Sequence, residues 1–471
     1  MIAVQFFSAQ YCTVNCTAVL SWFHMIEQLL AENEGKTIEF KETARSLGGI
    51  MKTAVAFANS AGGTIVIGVK DKTKELVGLP QILSEEERLA NTITDSILPL
   101  LTPDIEIQSI RGKELLIIRV SHGIGPYYLK SEGSERGVYV RFGSTNRSVD
   151  AEMLDSLRLL AKKVSYDELP HPKGKLDSKI MKDVFEWVGK RPTAQALENL
   201  GVETSSSGKK YPSNGGVLLF GSNRMQLFPD SLIRCARFAG SNREKILDQV
   251  DIDAPLPRAA DLIIAFIERN ISKEGRIGRM QREDVFQYPS VAIREAVMNA
   301  LLHTDYAMSG CHIQVAIFDD RIEFTNPGGL PFGQTIEKAL GGSSRIRNRV
   351  IARVFRELHL IEQWGSGFRR IVEACRSQGL KPPSMEELNN QFRLILYSEQ
   401  VEKMILPPWA QKLLEYLKKE KEITAKTAMK MWKVSSRTAR SRLKQLQEQG
   451  IVARIGTSES DPSASYIAAK R

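Results

Sequence analysis

The order of residue patterns along the chain constrains the fold most strongly. Two stretches alternate helical periodicities with β-branched runs, and proline-containing breaks at 167–175 and at Pro407–Pro408 interrupt these patterns. The chain has 471 residues, which is more than one ordinary core accommodates. The sequence therefore predicts a multidomain α/β (α+β) protein. We divide it into an extension at 1–24, a first α/β domain at 25–164, a linker and middle domain at 165–284, a second α/β domain at 285–398, and a helical domain at 399–471.

Composition limits the partners. The formal net charge is +10, which favours an anionic partner without requiring one. The five cysteines are scattered, so their spacing supports neither a disulfide framework nor a four-ligand zinc site, and a reducing cytoplasm fits best.

The first 24 residues contain no Lys, Arg, Asp or Glu. Polar residues interrupt the apolar run, and no basic start precedes it, so neither a membrane span nor a signal peptide is expected. We predict that Met25 is the natural start, and a disordered or membrane-associated tail remains the alternative.

The first α/β domain contains three short motifs. Residues 34–41 read EGKTIEFK, 56–63 read AFANSAGG and 67–71 read IGVKD. Alternation in the first motif places Glu39 and Lys41 on one strand face, and the glycines of the second form a tight turn into a buried strand. Three carboxylates, Glu34, Glu39 and Asp71, therefore flank strand ends.

The order and spacing of these motifs resemble the AlbA-like (AlbA_2) domain of the Schlafen family. The resemblance implies that this domain binds nucleic acid, either RNA or single-stranded DNA. In the Schlafen ribonucleases the matching carboxylates bind a divalent metal, so it also implies a metal role for Glu34, Glu39 and Asp71, which would activate water against a phosphodiester. The alternative is that Glu39 pairs with Lys41 or another cation and that the turn is only structural.

A phosphate-binding P-loop is not predicted. The run Gly48–Thr53 and the segment 201–210 both lack the Gly-x4-Gly-Lys-Ser/Thr spacing. We therefore expect no helicase motor.

The second α/β domain begins with a polar pair on a helix. Residues 294–306 read REAVMNALLHTDY, and helical spacing places Glu295 and Asn299 together, opposite the apolar face. Met298 and Leu302 flank this pair, so both helix faces look covered. A covered Glu/Asn pair normally needs a partner.

A hairpin and glycine turns follow this helix. Residues 312–318 and 321–324 predict the hairpin, which leads to the turn 326–331 (NPGGLP). Further on, 341–348 reads GGSSRIRN, which predicts a phosphate lid, because its glycines expose backbone amides and Arg345 and Arg347 neutralise phosphate charge. The glycine-serine run 365–367 then opens a helix, where backbone amides favour phosphate.

This order resembles the Bergerat ATP-binding fold of gyrase, Hsp90, histidine kinases and MutL, in the divergent form of RecG-like transcriptional regulators. The resemblance implies an α/β sandwich in which Glu295 activates water, Asn299 binds Mg²⁺ and the glycine turn closes on adenine. It implies a wider set of nucleotide-binding residues: His303, Asn326, Gly328, Gly329, Gly341, Gly342, Arg347, Asn348, Gly365 and Gly367. The adenine-reading Asp of that fold is replaced here by Asn326, so we expect weak adenine selectivity. A buried structural role for Glu295 and Asn299 is the alternative.

The C-terminal segment shows helix-turn-helix order. Helical patterns at 409–419, 423–432 and 437–449 precede strand-like runs at 451–455 and 465–467, which predicts a winged helix. The third helix places its cations on the face opposite its apolar residues. We predict that this face binds DNA through Ser436, Arg437, Arg440, Ser441 and Lys444. Protein contacts through the same face are the alternative.

Together these patterns and the resemblances predict a cytoplasmic, homo-oligomeric, nucleotide-responsive transcriptional regulator. The resemblances imply that it binds DNA, uses ATP and Mg²⁺, and has no membrane partner. Weak ATPase activity is compatible with the polar pair. Two alternatives remain. One is a metal-dependent nuclease of the Schlafen type, with a role in defence, and the other is an interaction scaffold with both sites inactive.

Overall fold

The structure is a computed structural model, and it describes residues 29–30, 32–277, 282–361, 367–388, 390–401, 407–448, 450–455 and 464–468, without the side chains of 273–277, 282–285 and 418. The predicted extension at 1–24 and the predicted start at Met25 lie outside these residues. The chain divides into two compact units, Met1–Glu399 and Gln400–Arg471.

The first part of the larger unit is an α/β arrangement around a mixed sheet. Its elements are β1 (Ile38–Lys41), α1 (Leu47–Asn59), β2 (Gly63–Ile67), α2 (Ile82–Ser96), β3 (Ile97–Leu98), β4 (Asp104–Ile110), β5 (Lys113–Val120), β6 (Tyr128–Leu129), α3 (Gly133–Arg136), β7 (Tyr139–Phe142), β8 (Thr145–Ser148) and α4 (Ala151–Ala161). Four strands pair in the order β1-β2-β5-β4, with β1 parallel to β2 and the other pairs antiparallel.

Helix α1 packs on this sheet through Ile50, Ala54 and Phe57, which are fully buried. The turn that follows passes through Gly62 at a φ of +77°, a conformation that favours glycine. This turn brings the chain directly into β2, as the sequence predicts.

The rest of the larger unit contains more helices and a six-stranded sheet. Its elements are a 3₁₀ turn (Tyr166–Glu168), α5 (Ser178–Glu186), α6 (Ala194–Leu200), β9 (Glu203–Ser206), β10 (Lys209–Pro212), α7 (Asn214–Phe220), α8 (Arg224–Leu227), a 3₁₀ turn (Pro229–Ser231), β11 (Ile233–Phe238), β12 (Ile246–Ile252), α9 (Leu256–Asn270), β13 (Lys273–Ile277), β14 (Arg282–Phe286), α10 (Ser290–His303), β15 (Ile313–Ile317), β16 (Arg321–Pro327), α11 (Ile336–Leu340), α12 (Arg349–Glu357), α13 (Gly367–Ser377), β17 (Ser384–Leu388) and β18 (Gln391–Tyr397).

The six-stranded sheet joins two segments that the sequence analysis separates. Its order is β12-β11-β15-β16-β18-β17, and β11 runs parallel to β15 while the other neighbours are antiparallel. Strands β11 and β12 come from the predicted middle domain, and β15 to β18 come from the predicted second α/β domain. One hydrophobic core, with members from Met181 to Leu396, lies around this sheet.

One local expectation was wrong. The run near Val217 looks like a strand, but residues 214–220 form α7. The Ser213 side chain accepts a hydrogen bond from the Gly216 backbone amide at 2.9 Å, which caps the helix start. Every residue of α7 is buried, so a continuous apolar run does not distinguish this helix from a strand.

The smaller unit has a winged-helix arrangement. Its elements are α14 (Pro408–Glu420), β19 (Glu422–Thr424), α15 (Ala425–Trp432), α16 (Ser436–Glu448), β20 (Val452–Ile455) and β21 (Ser465–Ala468). The strands pair in the order β19-β21-β20. Leu413, Leu417, Leu443 and Leu446 are among the residues of its own hydrophobic core. The multidomain α/β class with a terminal winged helix is therefore confirmed.

No helix within the described residues is long and apolar enough to cross a membrane. In the same residues the cysteines Cys235, Cys311 and Cys375 are free thiols.

Candidate functional site

A cavity of about 240 Å³ lies beside helix α10 in the larger unit. Six residues that the sequence analysis singles out line it: Glu295, Asn299, His303, Asn326, Gly329 and Gly367. These residues come from α10, the end of β16, the following turn and the start of α13, so the fold brings together motifs that lie up to 72 positions apart in the sequence.

Helix α10 is buried on both faces, as its residue pattern predicts. Ile293, Val297 and Leu301 on one face are buried, and Met298 and Leu302 beside the polar pair are also buried.

Asn348 makes two hydrogen bonds to the end of the helix. The Asn348 amide Nδ2 donates to the backbone carbonyls of Leu302 and Thr304, both at 2.8 Å. Asn348 therefore positions α10, and its side chain is 1% exposed and does not line the cavity.

Glu295 forms an ion pair across the cavity. Its Oε1 lies 2.6 Å from Nη2 of Arg370 on α13, and the two side chains are 17% and 31% exposed. The helices approach closely here because α13 starts with glycine. A Cβ on Gly367 would lie 2.9 Å from Glu295 Oε2 and 3.2 Å from Asn299 Nδ2. Any larger residue at 367 would press on the polar pair.

Two buried nitrogen atoms at the cavity have no hydrogen-bond partner among the described residues. They are Nδ2 of Asn299 and Nδ1 of His303. Buried polar atoms are normally satisfied, so both are suited to a bound molecule or water. Burial, with a smaller contribution from the nearby Arg347 guanidinium, lowers the pKa of His303 to about 4, so this imidazole is neutral at physiological pH.

The remaining predicted nucleotide-binding residues take different positions. Gly328 adopts a φ of +82° at the turn after β16, beside Arg347. Arg347 donates to the backbone carbonyls of His303 and Gly329 at 2.7 and 2.8 Å. Gly341 and Gly342 follow α11 and do not line the cavity. Gly365 lies outside the described residues.

The cavity wall also contains residues that the sequence analysis does not single out. Arg370 adjoins the predicted glycine run, and its sequence position just after that run is the one signal that points to it. The aromatic and aliphatic part of the wall includes Phe324, Phe368, Phe392 and Leu394. These side chains come from three elements, so only the tertiary fold brings them together. An apolar wall with a few convergent polar groups is typical of small-molecule sites.

The three carboxylates of the first domain lie near one another, but each has its own partner. Glu39 is 5% exposed and forms ion pairs with the buried Arg141 and with Lys41. Glu34 accepts a hydrogen bond from the Phe40 backbone amide at 2.8 Å. Asp71 is half exposed, and its Oδ1 lies 3.6 Å from Lys74 Nζ. The pairing of Glu39 with Lys41 and a second cation is the alternative described above.

Burial raises the pKa of Glu34, and the negative charges of Glu39 and Asp71 also raise it. The three groups are therefore close enough to interact. In the part of the chain that the structure describes, no group of three Asp, Glu, His or Cys side chains has the arrangement to hold a metal ion.

Helix α16 presents all of its predicted DNA-binding residues to solvent: Ser436, Arg437, Arg440, Ser441 and Lys444. Ala439, Leu443 and Leu446 on its opposite face are buried. The side chain of Ser435 accepts from the Thr438 amide at 3.2 Å, and this bond caps the helix. Arg442, beside this face, instead stacks over Trp409, 4.8 Å from the ring centre.

Three family models match separate parts of the chain. The Schlafen AlbA_2 model matches residues 34–150. The model described as "Putative ATP-dependent DNA helicase recG C-terminal" (HATPase_c_4) matches residues 310–396, which begin after Glu295 and Asn299. The DeoR-like helix-turn-helix domain matches residues 410–457.

One curated protein and two solved structures are similar to the chain. An uncharacterized ATP-binding protein of Ureaplasma parvum serovar 3 is 26% identical over 193 residues, which cover 38% of this chain and 53% of that protein. The chain thus matches about half the length of this relative. A crystal structure of a Corynebacterium diphtheriae protein covers 95% of the chain and 96% of its own length, with 19% identity and a TM-score of 0.44. A solution structure of the N-terminal domain of a RecG-related protein from Nitrosomonas europaea covers 27% of the chain and 92% of its own length, with 28% identity and a TM-score of 0.22.

The three resemblances predicted from the motifs are thereby confirmed. This protein joins a Schlafen AlbA_2 domain, a divergent ATPase-like domain of the HATPase_c_4 family and a C-terminal DeoR-like helix-turn-helix domain.

Proposed function

We propose that this protein is an ATP-binding transcriptional regulator whose C-terminal helix-turn-helix binds DNA. The observation that carries the proposal is the cavity at Glu295 and Asn299, which lies in the same chain as a helix with an exposed cationic face. The curated relative that is named as an ATP-binding protein supports the nucleotide part. The DeoR-like match supports the DNA part.

The residues at the cavity offer the chemical groups that a nucleotide with Mg²⁺ needs. The side-chain amide of Asn299 offers an oxygen of the kind that Mg²⁺ accepts, and its buried nitrogen has no partner among the described residues. The aromatic wall suits a planar base, and the glycine at the start of α13 lets this helix lie close against the polar pair. Bound Mg²⁺ would neutralise phosphate charge and polarise a phosphoryl oxygen.

Two features limit the activity that we expect. Glu295 is held by Arg370 at 2.6 Å, so its carboxylate is restrained from orienting water until the pair separates. The cavity of about 240 Å³ is smaller than the roughly 300–1,000 Å³ typical of small-molecule sites. We therefore expect binding that requires some opening of the cavity, with slow hydrolysis.

The contacts of the first domain favour the regulator over the nuclease alternative. A catalytic metal would have to compete with Arg141 and Lys41 for the Glu39 carboxylate. We propose that this domain contributes binding of RNA or single-stranded DNA. A cytoplasmic location and a homo-oligomeric state also remain proposals.

Isothermal titration of the full chain with ATP and Mg²⁺ tests the nucleotide part. Asn299→Ala should remove the Mg²⁺-dependent component of binding, whereas Glu295→Ala should retain binding and lose any hydrolysis. Asn91→Ala, at an exposed position on α2, is the matched control and should behave as the wild type. Comparing ATP with GTP tests the weak adenine selectivity expected from Asn326. If the wild-type chain binds no nucleotide, the ATP-binding part of the proposal is wrong.

A further inference from the structure

A second cavity, of about 530 Å³, adjoins the first one. One side is formed by the end of α4 and the segment that follows it, including Leu160 and Tyr166. The other side is formed by the segment before α12 and by α12 itself. We call this cavity the arginine cleft, because five arginines line it: Arg345, Arg347, Arg349, Arg353 and Arg356.

The charges of the cleft do not balance. Asp305 is the one carboxylate in its lining. Glu168, just beyond the lining, lies 3.0 Å from Arg353 and 3.7 Å from Arg349. Asp167 lies at the start of α12, and Glu387 interacts with Arg347. Five guanidinium groups therefore face four nearby carboxylates, and within the described residues Arg345 and Arg356 pair with none of them. A cleft lined mainly by one sign of charge concentrates ions of the opposite sign.

The hydrogen bonds of three of these arginines go to carbonyl groups, which carry no net charge. Arg345 donates to Phe332 O at 3.2 Å, and Arg356 donates to Ala352 O at 3.2 Å. Arg347 donates to two backbone carbonyls, and burial lowers the pKa of its guanidinium against the opposing effect of the Asp305 and Glu387 carboxylates. A buried cation is costly unless an anion compensates it.

The helix dipole does not account for the anion preference of the cleft. The backbone amides of Arg349 and Ile351 at the start of α12 already donate to the Asp167 carboxylate, both at 3.0 Å. Asp167 is fully buried and occupies that position. Attraction for a further anion therefore comes from the guanidinium groups.

We propose that the arginine cleft binds a chain of phosphoryl groups. Guanidinium groups bind phosphate through paired, charge-assisted hydrogen bonds, and several of them suit several linked phosphates. The cleft volume lies within the usual range for a small ligand. This inference does not depend on nucleotide binding in the first cavity.

The phosphates have two sources that share this chemistry. Ser344, Arg345, Ile346 and Arg356 line both the first cavity and the arginine cleft. The phosphate tail of a nucleotide held in the first cavity would therefore reach the cleft. A free polyphosphate would enter the cleft alone.

Titration of the full chain with inorganic tripolyphosphate, without Mg²⁺, tests the inference. The double variant Arg345→Ala/Arg356→Ala removes two cations that have no carboxylate partner among the described residues, and it should weaken binding by roughly tenfold to a hundredfold. The control Arg234→Ala/Arg258→Ala removes the same charge from two exposed arginines outside the cleft. It should change the affinity by less than about twofold, the effect of distant screened charges.

Two further experiments distinguish the two phosphate sources and separate a loss of binding from a loss of folding. Competition between tripolyphosphate and ATP assigns the cleft to the nucleotide tail, whereas simultaneous binding assigns it to a free polyphosphate. The Arg345→Lys/Arg356→Lys variant keeps the charge but loses the planar donor pair, so it should bind with intermediate affinity even if the alanine variant fails to fold.

The inference is overturned if the wild-type chain does not bind tripolyphosphate, or if the control variant loses as much affinity as the cleft variant. Tripolyphosphate binding without ATP binding would contradict the proposed function and leave the arginine cleft intact.

Discussion

At the residue scale, His303 shows how a buried group links the candidate site to stability. Its imidazole is neutral in the folded protein because burial and Arg347 lower its pKa to about 4. In the unfolded chain the ordinary pKa is about 6.5. As the pH falls below that value, the imidazole binds a proton in the unfolded state but not in the folded state. The folded state is therefore destabilised progressively between pH 6.5 and 4.

We expect the wild type to lose about 2 kcal/mol more unfolding free energy than His303→Gln when the pH drops from 7.5 to 5. Glutamine fills similar space and does not titrate, so the variant lacks this linkage. Denaturant unfolding at the two pH values measures the difference. His312→Gln is the control, because it makes the same substitution at a half-buried histidine that does not line the cavity. Equal losses in the wild type and His303→Gln would show that His303 titrates normally.

A second residue, Gly367, controls the distance between α10 and α13. An added Cβ would lie 2.9 Å from Glu295 Oε2, closer than such contacts occur. Gly367→Ala should therefore destabilise the larger unit by roughly 1–3 kcal/mol and weaken nucleotide binding. Gly48→Ala is the matched control, since a Cβ there meets nothing within 4 Å in α1 and should be neutral or stabilising. Thermal unfolding and ATP titration of both variants measure these effects. If Gly367→Ala changes neither the stability nor the ATP affinity, α10 and α13 move apart to accept the added methyl group.

At the element scale, α16 combines a buried apolar face with an exposed cationic face. Arg437, Arg440 and Lys444 are exposed on the latter, and Lys444 lies 3.8 Å from Glu448. That distance and the exposure of both side chains indicate a weak ion pair. The cation therefore remains able to contact a phosphate.

Duplex affinity should fall with salt because each phosphate contact releases a counterion. Lys444→Ala should reduce the slope of log affinity against log salt by about 0.9 if this residue contacts phosphate. Arg440→Ala should relax the sequence preference if it contacts a base edge. Lys412→Ala, an exposed cation on α14, is the control and should leave both properties unchanged. Fluorescence anisotropy with a duplex selected from a random library gives the measurement. Wild-type affinity in the triple variant Arg437→Ala/Arg440→Ala/Lys444→Ala would contradict the role of α16.

The elements show which features the sequence determines locally. The α10 periodicity predicts a helix that is buried on both faces, and the structure confirms this. The prediction succeeds because apolar residues on both faces of a helix indicate burial directly. The Glu39 pair with Arg141 joins residues 102 positions apart, so spacing cannot predict it. Val217 was assigned to the wrong element because a fully buried run has no periodicity. The Ser213 cap was the available local signal.

At the scale of the whole molecule, the AlbA_2 domain contacts the ATPase-like domain directly. Gly333 N donates to Ser60 O at 2.6 Å, and Lys338 Nζ donates to Ala61 O at 2.8 Å. Glu387 accepts from Lys36 Nζ at 2.5 Å and from the Leu330 backbone amide at 2.7 Å. The turn after α1 is therefore attached to the segment that lines the candidate nucleotide cavity.

The sequence does not predict this attachment. Lys338 and Ala61 are 277 positions apart, and Lys36 and Glu387 are 351 positions apart. No local pattern indicates a partner across such a distance. For the same reason the pairing of β11 with β15 was not expected. The domain boundary near residue 284 remains a prediction about independent folding, although strands from both sides share one sheet.

The contact through Glu387 leads to a prediction about cooperativity. Glu387→Ala leaves Lys36 without its carboxylate and the Leu330 amide without its acceptor, which should cost roughly 1–3 kcal/mol. The AlbA_2 domain has its own hydrophobic core around Ile50, Phe57 and Leu89, so it can unfold separately once this contact is weakened. Scanning calorimetry should show the wild-type larger unit unfolding in one main transition, and an additional, earlier transition in Glu387→Ala.

Glu373→Ala is the control, because that exposed side chain pairs with Arg369 within α13. Adding Lys36→Met to Glu387→Ala should cost less than the sum of the two single variants, since both remove the same ion pair. Unchanged cooperativity in Glu387→Ala would show that the two domains are held together by other contacts.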